Sequence, residues 1–416
     1  MSTSATAVVE AADPEAADDP LGVEPPAGGR RRTREDALVR RRTRRRRIRR
    51  LALASVVLSL AVVGWSIGHA LMRANHDPVG VTLVEWARDH GGGTVVNDIE
   101  AWWYGNHQPP KGGSPRGGIP HVARPVAARP VTPPPTVDPR DLPPAAVTPF
   151  VATPLPGEGV WQPTGKIVGG VPAVYQTFLR PDAVHTSLLA GLIRMNGHVL
   201  AARQYNGTDV PGGGPWTYGD HVAPADDATL VAAFNGGFRL DASNGGYLAE
   251  GRSVRGLVPG RASLVIGTDG TATVAMWGRD AVAGPGVASV RQNLDLIVDH
   301  GAPVPGLNAN DTSRWGATLG GKIFVWRSGV GVDAQGNLIY VAGELDIASL
   351  ANVLARAGAV RAMELDINSE WVSGYVYTGT GPADTVGVKL LGSIQRPADR
   401  YLVPGSRDFV ALFARP

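Results

Sequence analysis

The stretch AVRAMELDINSEW, residues 359–371, decides how the rest of the chain is read. It opens small and apolar, as a strand does. It then sets Glu364, Asp366, Asn368, Ser369 and Glu370 within seven positions. Alternate side chains of a strand share a face. Ala362, Glu364 and Asp366 therefore fall on one face, and Met363, Leu365 and Ile367 on the other, apolar one. Glu364 and Asp366 would stand about 7 Å apart. At that spacing two carboxylates can divide acid and base roles, or acid and nucleophile roles, in glycosyl chemistry. The plainer reading is a solvated strand end with a polar turn.

Immediately upstream, ELDIASLANVLARAGAV (344–360) has the spacing of a helix. Leu345, Leu350, Val353 and Leu354 recur near a 3.6-residue period, and Gly358 stands where a C-terminal cap belongs. A helix between two strands implies a crossover, and the strand after a crossover ends where such sheets usually hold ligands. Further upstream the signals are hairpins: VHTSLLAGLIRM and HVLAARQY around Asn196-Gly197, SLVIGTDGTATVAMW turning on Asp269-Gly270, and SGVGVDAQGNLIYVA turning at 333–337. The pattern predicts an α+β domain over 159–416, a mixed, mostly antiparallel sheet with crossover helices. That span is long enough to bury a large core. With no cysteine in the chain, the core must supply its stability, and thiol catalysis and thiolate metal sites are excluded.

Charge is uneven. Arg30 to Arg50 holds 13 Arg against two acidic residues, while from Val160 onward 20 Lys and Arg face 21 Asp and Glu. The basic block abuts LALASVVLSLAVVGWSIGHALM (51–72), which lacks any charged residue and is long enough to cross a bilayer as a helix. The positive-inside rule places residues 1–50, read as a disordered Arg-rich tail, in the cytoplasm and everything after Arg73 outside. A cleaved signal peptide is the competing reading. The arginines are read as a topology signal with affinity for anionic lipid, not as a nucleic-acid patch. Residues 73–108 form a juxtamembrane segment. Within it VVNDIEAWWY reads either as an interfacial element, through Trp102, Trp103 and Tyr104, or as one packed on the main domain. Residues 109–157, rich in Pro and Gly, read as an extended spacer holding the domain off the membrane.

Two more stretches carry chemistry. In VAAFNGGFRLDASNGGYLAEGR (231–252) a buried strand runs into the sharp turn Asn235-Gly236-Gly237-Phe238, and Glu250 and Arg252 follow at a second polar turn. In WRSGVG (326–331), Arg327 precedes an apolar strand with small neighbours and is suited to pair with a phosphate. The bland alternatives are an ordinary tight turn and a surface arginine. Histidines do not cluster at zinc-ligand spacing, no Gly-x-Ser-x-Gly elbow is present, and no EF-hand loop is found. No cofactor is expected. Calcium held by acidic turns stays open, and no metal ligand is assigned.

Taken in order, Asn235-Gly236-Gly237-Phe238, LDLIVDHG (294–301), Arg327-Ser328-Gly329-Val330-Gly331, the helix at 345–357 and Glu364-Leu365-Asp366-Ile367-Asn368-Ser369 resemble the phosphodiester glycosidase family. This is the uncovering-enzyme-like N-acetylglucosamine-1-phosphodiester alpha-N-acetylglucosaminidase domain. The chain looks similar to actinobacterial membrane-anchored members. The resemblance spans about residues 180–380. It departs at Ile367-Asn368-Ser369, where the family has three glycines, at Glu364 in place of Asn, and at Ser328 in place of Thr.

The resemblance implies hydrolysis of a sugar-1-phosphate diester on the cell surface, with a carbohydrate phosphodiester as substrate. It implies Asp366 as the carboxylate at the anomeric carbon and Arg327 as the phosphate clamp, assisted by Ser328. Glu364 and Glu370 are then candidates for the partner acid. Asn235 and the amides of Gly236 and Gly237 would line the pocket, Asn368 and Ser369 would contact substrate, and Glu250 and Arg252 would support from behind. The alternative is a catalytically inactive glycan-binding module, which the lost glycines favour. A structural envelope protein is a third reading.

Overall fold

The computed structural model describes residues 28–72, 76–127, 138, 141–307, 311–316, 324–379, 381 and 384–416. The chain divides into two compact units, Met1–Gly68 and His69–Pro416. A helix runs over Gly28–Leu71, and its stretch Asp36–Leu71 is long and apolar enough to cross a membrane. The tail expected to be disordered is therefore helical from Gly28 onward; residues 1–27 lie outside the described residues. The reason is local. Arg, Ala and Leu are strong helix formers, and neither Gly nor Pro interrupts 31–63.

In the second unit the central sheet has nine strands, in the order Val126–Ala127, Gln162–Val168, Val171–Leu179, Ala190–Met195, Leu338–Leu345, Val325–Asp333, Ala359–Glu364, Leu296–Asp299 and Ala302–Pro303. Val325–Asp333 is antiparallel to both of its neighbours. Leu338–Leu345 and Ala359–Glu364 therefore run parallel to each other across it. The helix Ile347–Arg356 makes that crossover, capped by the Asp346 side chain, which accepts from Ser349 N at 2.7 Å. Such a cap is worth about 1 kcal/mol. Two five-stranded antiparallel sheets complete the domain. One runs Ala272–Met276, Ala262–Gly267, Val287–Asn293, Tyr247–Ala249 and Arg252–Arg255; the other runs Val386–Lys389, Gly374–Thr378, Leu230–Asn235, Phe409–Ala414 and Leu200–Tyr205.

Strand Ala359–Glu364 is buried on both faces, which single-face alternation did not anticipate. Ala362 packs in the cluster around Leu350, Val353 and Leu354 of the crossover helix. Met363 and Leu365 pack in the larger cluster with Phe234, Tyr340 and Phe409. The hairpins at Asp269-Gly270 and 333–337 form as the sequence indicates. Asn196-Gly197 does not close one. Ala190–Met195 belongs to the central sheet and Leu200–Tyr205 to a five-stranded one. The Asn196 side chain turns the chain locally by accepting from His198 N at 2.9 Å, and its amide is held by Asp141 at 2.7 Å, so the strands part instead of pairing.

The described part of the expected spacer is packed, not extended. Gly112 N donates to Val184 O, Thr186 Oγ1 to Gly113 O, Val126–Ala127 joins the central sheet, and Val147 is buried. The juxtamembrane segment also lies on the domain as two helices, Val79–Ala87 and Gly93–Asn106, joined through a kink at His90 and Gly91.

Candidate functional site

The strand from the opening stretch ends at Glu364, and the next residues carry the site. Asp366 is 3% exposed. Its Oδ1 accepts from Ile367 N at 2.8 Å and Asn368 N at 3.0 Å, and its Oδ2 accepts from Arg407 Nη2 at 3.2 Å. Burial pushes its pKa up, against the pull of Arg407 and the two backbone N–H groups. Arg407 precedes the terminal strand Phe409–Ala414, which lies in a different sheet. Its guanidinium sits 4.8 Å from the centre of the Trp371 ring, and Arg400 and Arg396 approach the same ring at 5.2 and 5.6 Å. Arg407 Nη1 is buried and makes no hydrogen bond.

Asp366 and Arg407 face a cavity of about 220 Å³ that Arg239, Phe238, Asn368 and Trp371 also line. The juxtamembrane helix pair forms its opposite wall through Glu85, Arg88, Asn97, Glu100 and Tyr104. Glu85 Oε2 accepts from Arg239 Nη1 at 2.6 Å and lies 3.9 Å from Arg407 Nη1. Burial raises the Glu85 pKa, but Arg407 and Arg239 more than offset it and hold the group below the usual carboxylate range. Arg239 also bonds Asp89. The guanidiniums of Arg239 and Arg407 thus form an anion site, and Glu85 fills it.

The two carboxylates of the opening stretch part company. Glu364 follows Ala362 onto the helix-facing side, where it is 1% exposed and pairs with Arg327 Nη1 at 2.6 Å. Burial pushes its pKa up to about 7 against the opposing pull of Arg327. Arg327, fully buried, also donates from Nε to Leu345 O at 2.9 Å. Neither residue lines the cavity. The residue expected as the phosphate clamp, Arg327, thus lies away from the cavity wall, with its charge against Glu364 inside the core. Glu364 and Glu370 are likewise outside the cavity wall; Glu370 N closes the turn by donating to Asn368 Oδ1. Asn368 is at the wall, and Tyr104 faces it from the juxtamembrane helix.

Asn235 is a structural knot. Its Nδ2 donates to Gly236 O and Ser328 Oγ, and its Oδ1 accepts from the Tyr340 hydroxyl and Ser373 N. Ser328 ties the same place to Asp366 through Ser328 N to Asp366 O, 2.9 Å. Gly236 and Gly237 give room to neighbours rather than to a ligand. A Cβ on Gly236 would stand 2.3 Å from Asp408 Oδ2, and one on Gly237 3.1 Å from Asn293 Cγ. Asp408 forms a buried pair with Arg291 at 2.8 Å. Glu250 and Arg252 lie elsewhere: Glu250 accepts from Thr217 N and Tyr218 N, and Arg252 stacks 3.5 Å over Trp216.

Sequence reasoning missed Arg407, Arg239, Trp371 and Glu85. Arg407 carried the same signal as Arg327, an arginine just before an apolar strand. Among the described residues no group of three or more His, Asp or Glu side chains is placed to hold a metal ion.

No family model and no curated protein matches the chain. Among solved structures it is similar to the catalytic domain of zebrafish N-acetylglucosamine-1-phosphodiester alpha-N-acetylglucosaminidase auto-inhibited by its pro-peptide. The identity is 14%, with 62% of this chain and 88% of that chain covered and a TM-score of 0.40. It is also similar to a hypothetical protein from Synechocystis, at 14% identity, 61% and 64% coverage and a TM-score of 0.35. These likenesses are distant, and no residue role in this chain follows from them.

Proposed function

We propose that the chain is a single-pass, membrane-anchored glycosidase facing the cell exterior, which hydrolyses a sugar-1-phosphate diester in an envelope glycan or glycolipid. The observation that supports this reading is the Asp366–Arg407 pair at the cavity, a buried carboxylate held by a buried guanidinium whose Nη1 makes no hydrogen bond and meets only the Glu85 carboxylate, at 3.9 Å. A buried donor without a hydrogen bond suits an anion that can approach closer than Glu85 does. The order of motifs around Asp366 supports a sugar phosphate as that anion.

Arg407 and Arg239 hold the phosphate in place of Glu85. Water attacks carbon 1 of the sugar, the bond from carbon 1 to the phosphate oxygen breaks, and its electron pair leaves with the phosphomonoester. Asp366 Oδ2 takes the proton of the water, or attacks carbon 1 itself and is released by water in a second step. A phosphomonoester leaves without strong acid assistance, so the absence of Glu364 and Glu370 from the wall is no obstacle. No cofactor is assigned, and nucleic acid is not a partner in this reading.

The test is release of free sugar from a panel of synthetic hexose-1-phosphate methyl diesters by the full-length protein in detergent, with Asp366→Asn in parallel. Release that the variant loses supports the reading, and the anomeric configuration of the first product separates base from nucleophile. A folded Asp366→Asn protein with the wild-type rate sinks it. A folded wild type that binds the diesters without cleaving them supports the second reading, a glycan-binding module. That reading is favoured by Ile367, which packs with Phe238, Leu294 and Val325, and on which Ala101 and Tyr104 of the second juxtamembrane helix rest.

A further inference from the structure

The helix Gly93–Asn106 faces two ways. Gly93, Asn97, Glu100 and Tyr104, spaced for one helical face, line the cavity. Val95, Ile99, Trp102 and Trp103 fall on the opposite face and are 62%, 60%, 64% and 51% exposed. The preceding helix leaves Val79 63% exposed as well. Together these side chains expose on the order of several hundred Å² of apolar surface, at the upper end of what a soluble monomer leaves open.

The tether says what covers this face. His76 N donates to Pro404 O at 3.1 Å, and the Asp77 carboxylate bonds Arg396 and Ser406, so the chain is fixed to the domain from residue 76 onward. The apolar helix ends at Leu71. Five residues from Leu71 to His76 reach at most about 18 Å. Taken with the reading of Asp36–Leu71 as a membrane span, on which this inference rests, the domain cannot stand off the bilayer by the length of a spacer.

We infer that the outer face of Gly93–Asn106, carried by Val95, Ile99, Trp102 and Trp103, docks on the lipid surface. Tryptophans favour the headgroup level, where an apolar ring meets water. Asp98 on the same exposed side keeps the helix at that level and out of the hydrocarbon. The helix thus joins the cavity wall to the membrane.

The chain has no cysteine, so single-cysteine variants carry one label each. Trp102→Cys and Ile99→Cys, in full-length protein reconstituted into phosphatidylcholine–phosphatidylglycerol vesicles, are labelled with a maleimide fluorophore. Val282→Cys, at an exposed site outside the helix pair, is the control. Lipids brominated near the headgroup are expected to quench the labels at 99 and 102 several-fold more than the label at 282, and aqueous iodide to do the reverse. Labels at 99 and 102 as open to iodide as the control overturn the inference. Labels shielded from both quenchers also overturn it, because protein then covers the face, a second copy being the natural candidate. Full release of the protein from vesicles by alkaline carbonate refutes the spanning helix, and the docking with it. The readout uses no activity, so it stands or falls apart from the proposed chemistry. More than half of each replaced side chain is already in solvent, so both variants should fold; Val95→Cys serves as a third.

Discussion

Exchanging Arg407 and Arg327 for glutamine separates two assignments of the phosphate clamp. Arg407 is 9% exposed, contacts Asp366 at 3.2 Å, and its Nη1 makes no hydrogen bond, with Glu85 3.9 Å away. Arg407→Gln should lose a charge-assisted bond to Asp366, worth about 1.5–3 kcal/mol. It should also lose a donor aimed at the transition-state anion, a loss of roughly 10²–10³ in rate for one such donor. A fall of about 10²–10³ in kcat/KM is therefore expected, with only a modest change in Tm. Because Arg407 opposes the rise of the Asp366 pKa, its removal should also move the acidic limb of the pH–rate profile to higher pH. Arg327→Gln acts differently. It leaves Glu364 buried without its cation, and breaking such a pair costs about 3–5 kcal/mol. For a domain of this size that is a drop in Tm on the order of 10 °C. The assay pairs sugar release from a hexose-1-phosphate diester with thermal unfolding followed by tryptophan fluorescence. A folded Arg407→Gln protein within threefold of wild-type kcat/KM would refute the reasoning. A stable but inactive Arg327→Gln protein would return the clamp to Arg327.

Three further outcomes follow from the same contacts. Gly236→Ala should cost about 3–5 kcal/mol, because its Cβ meets Asp408 and separates the buried Arg291–Asp408 pair, while Gly237→Ala, against the softer Asn293 contact, should cost less; calorimetry showing Gly236→Ala as stable as wild type would restore a ligand cradle. Glu364 has its folded pKa raised to about 7 from an ordinary 4.5, so its share of stability is complete below 4.5 and is lost as pH rises through 7. In Glu364→Gln the fall in Tm between pH 4.5 and 7.5 should be shallower than in wild type, and parallel curves would contradict the assignment. Glu85→Gln should bind inorganic phosphate several-fold more tightly than wild type by titration calorimetry, since it leaves Arg239 and Arg407 short of a carboxylate; equal or weaker binding would show that the arginine pair is not an anion site.

Local patterns carried the fold where the two ends of a pattern touch in space. The strand–helix–strand run from Leu338 to Glu364 could be read because Asp346, the Leu350–Val353–Leu354 spacing and Gly358 all act within one helix. Asn196-Gly197 misled because a tight turn states that the chain reverses, not that the flanking strands share a sheet. The site divides the same way. Asp366 and Asn368 were legible as polar residues just past an apolar strand. Arg407 lies 41 positions away and Glu85 farther still, and both reach Asp366's surroundings only through sheet order and helix packing. Glu364 was misplaced because alternation gives its face, while the strand ends before Asp366 and lets the two side chains diverge.

The charge balance of the site is drawn from both of its walls: Arg88, Arg239 and Arg407 line the cavity together with Glu85, Glu100, Asp241 and Asp366. Arg407 and Arg396 are buried beside Trp371, with Arg239 half-buried across the cavity from it, and burying a guanidinium without a partner would cost several kcal/mol. Asp366 pairs with Arg407, and the other counter-charges come from one short stretch: Asp77 to Arg396, Glu85 to Arg239 and Arg407, and Asp89 to Arg239. Without that stretch, the acidic partner of Arg239 among the described residues is Asp241, at 3.5 Å and with the acid 75% exposed, a contact worth little in water. The juxtamembrane helices therefore supply anions to the domain, and Ala101 and Tyr104 add apolar contact on the Ile367 cluster. On the proposed function, a substrate phosphate would draw on the same two guanidiniums as Glu85. Any anion that binds there weakens the attachment of the wall opposite it, and any change that tightens that wall weakens the anion. Phosphate affinity and the seating of the Val79–Ala87 helix are thus linked with opposite signs.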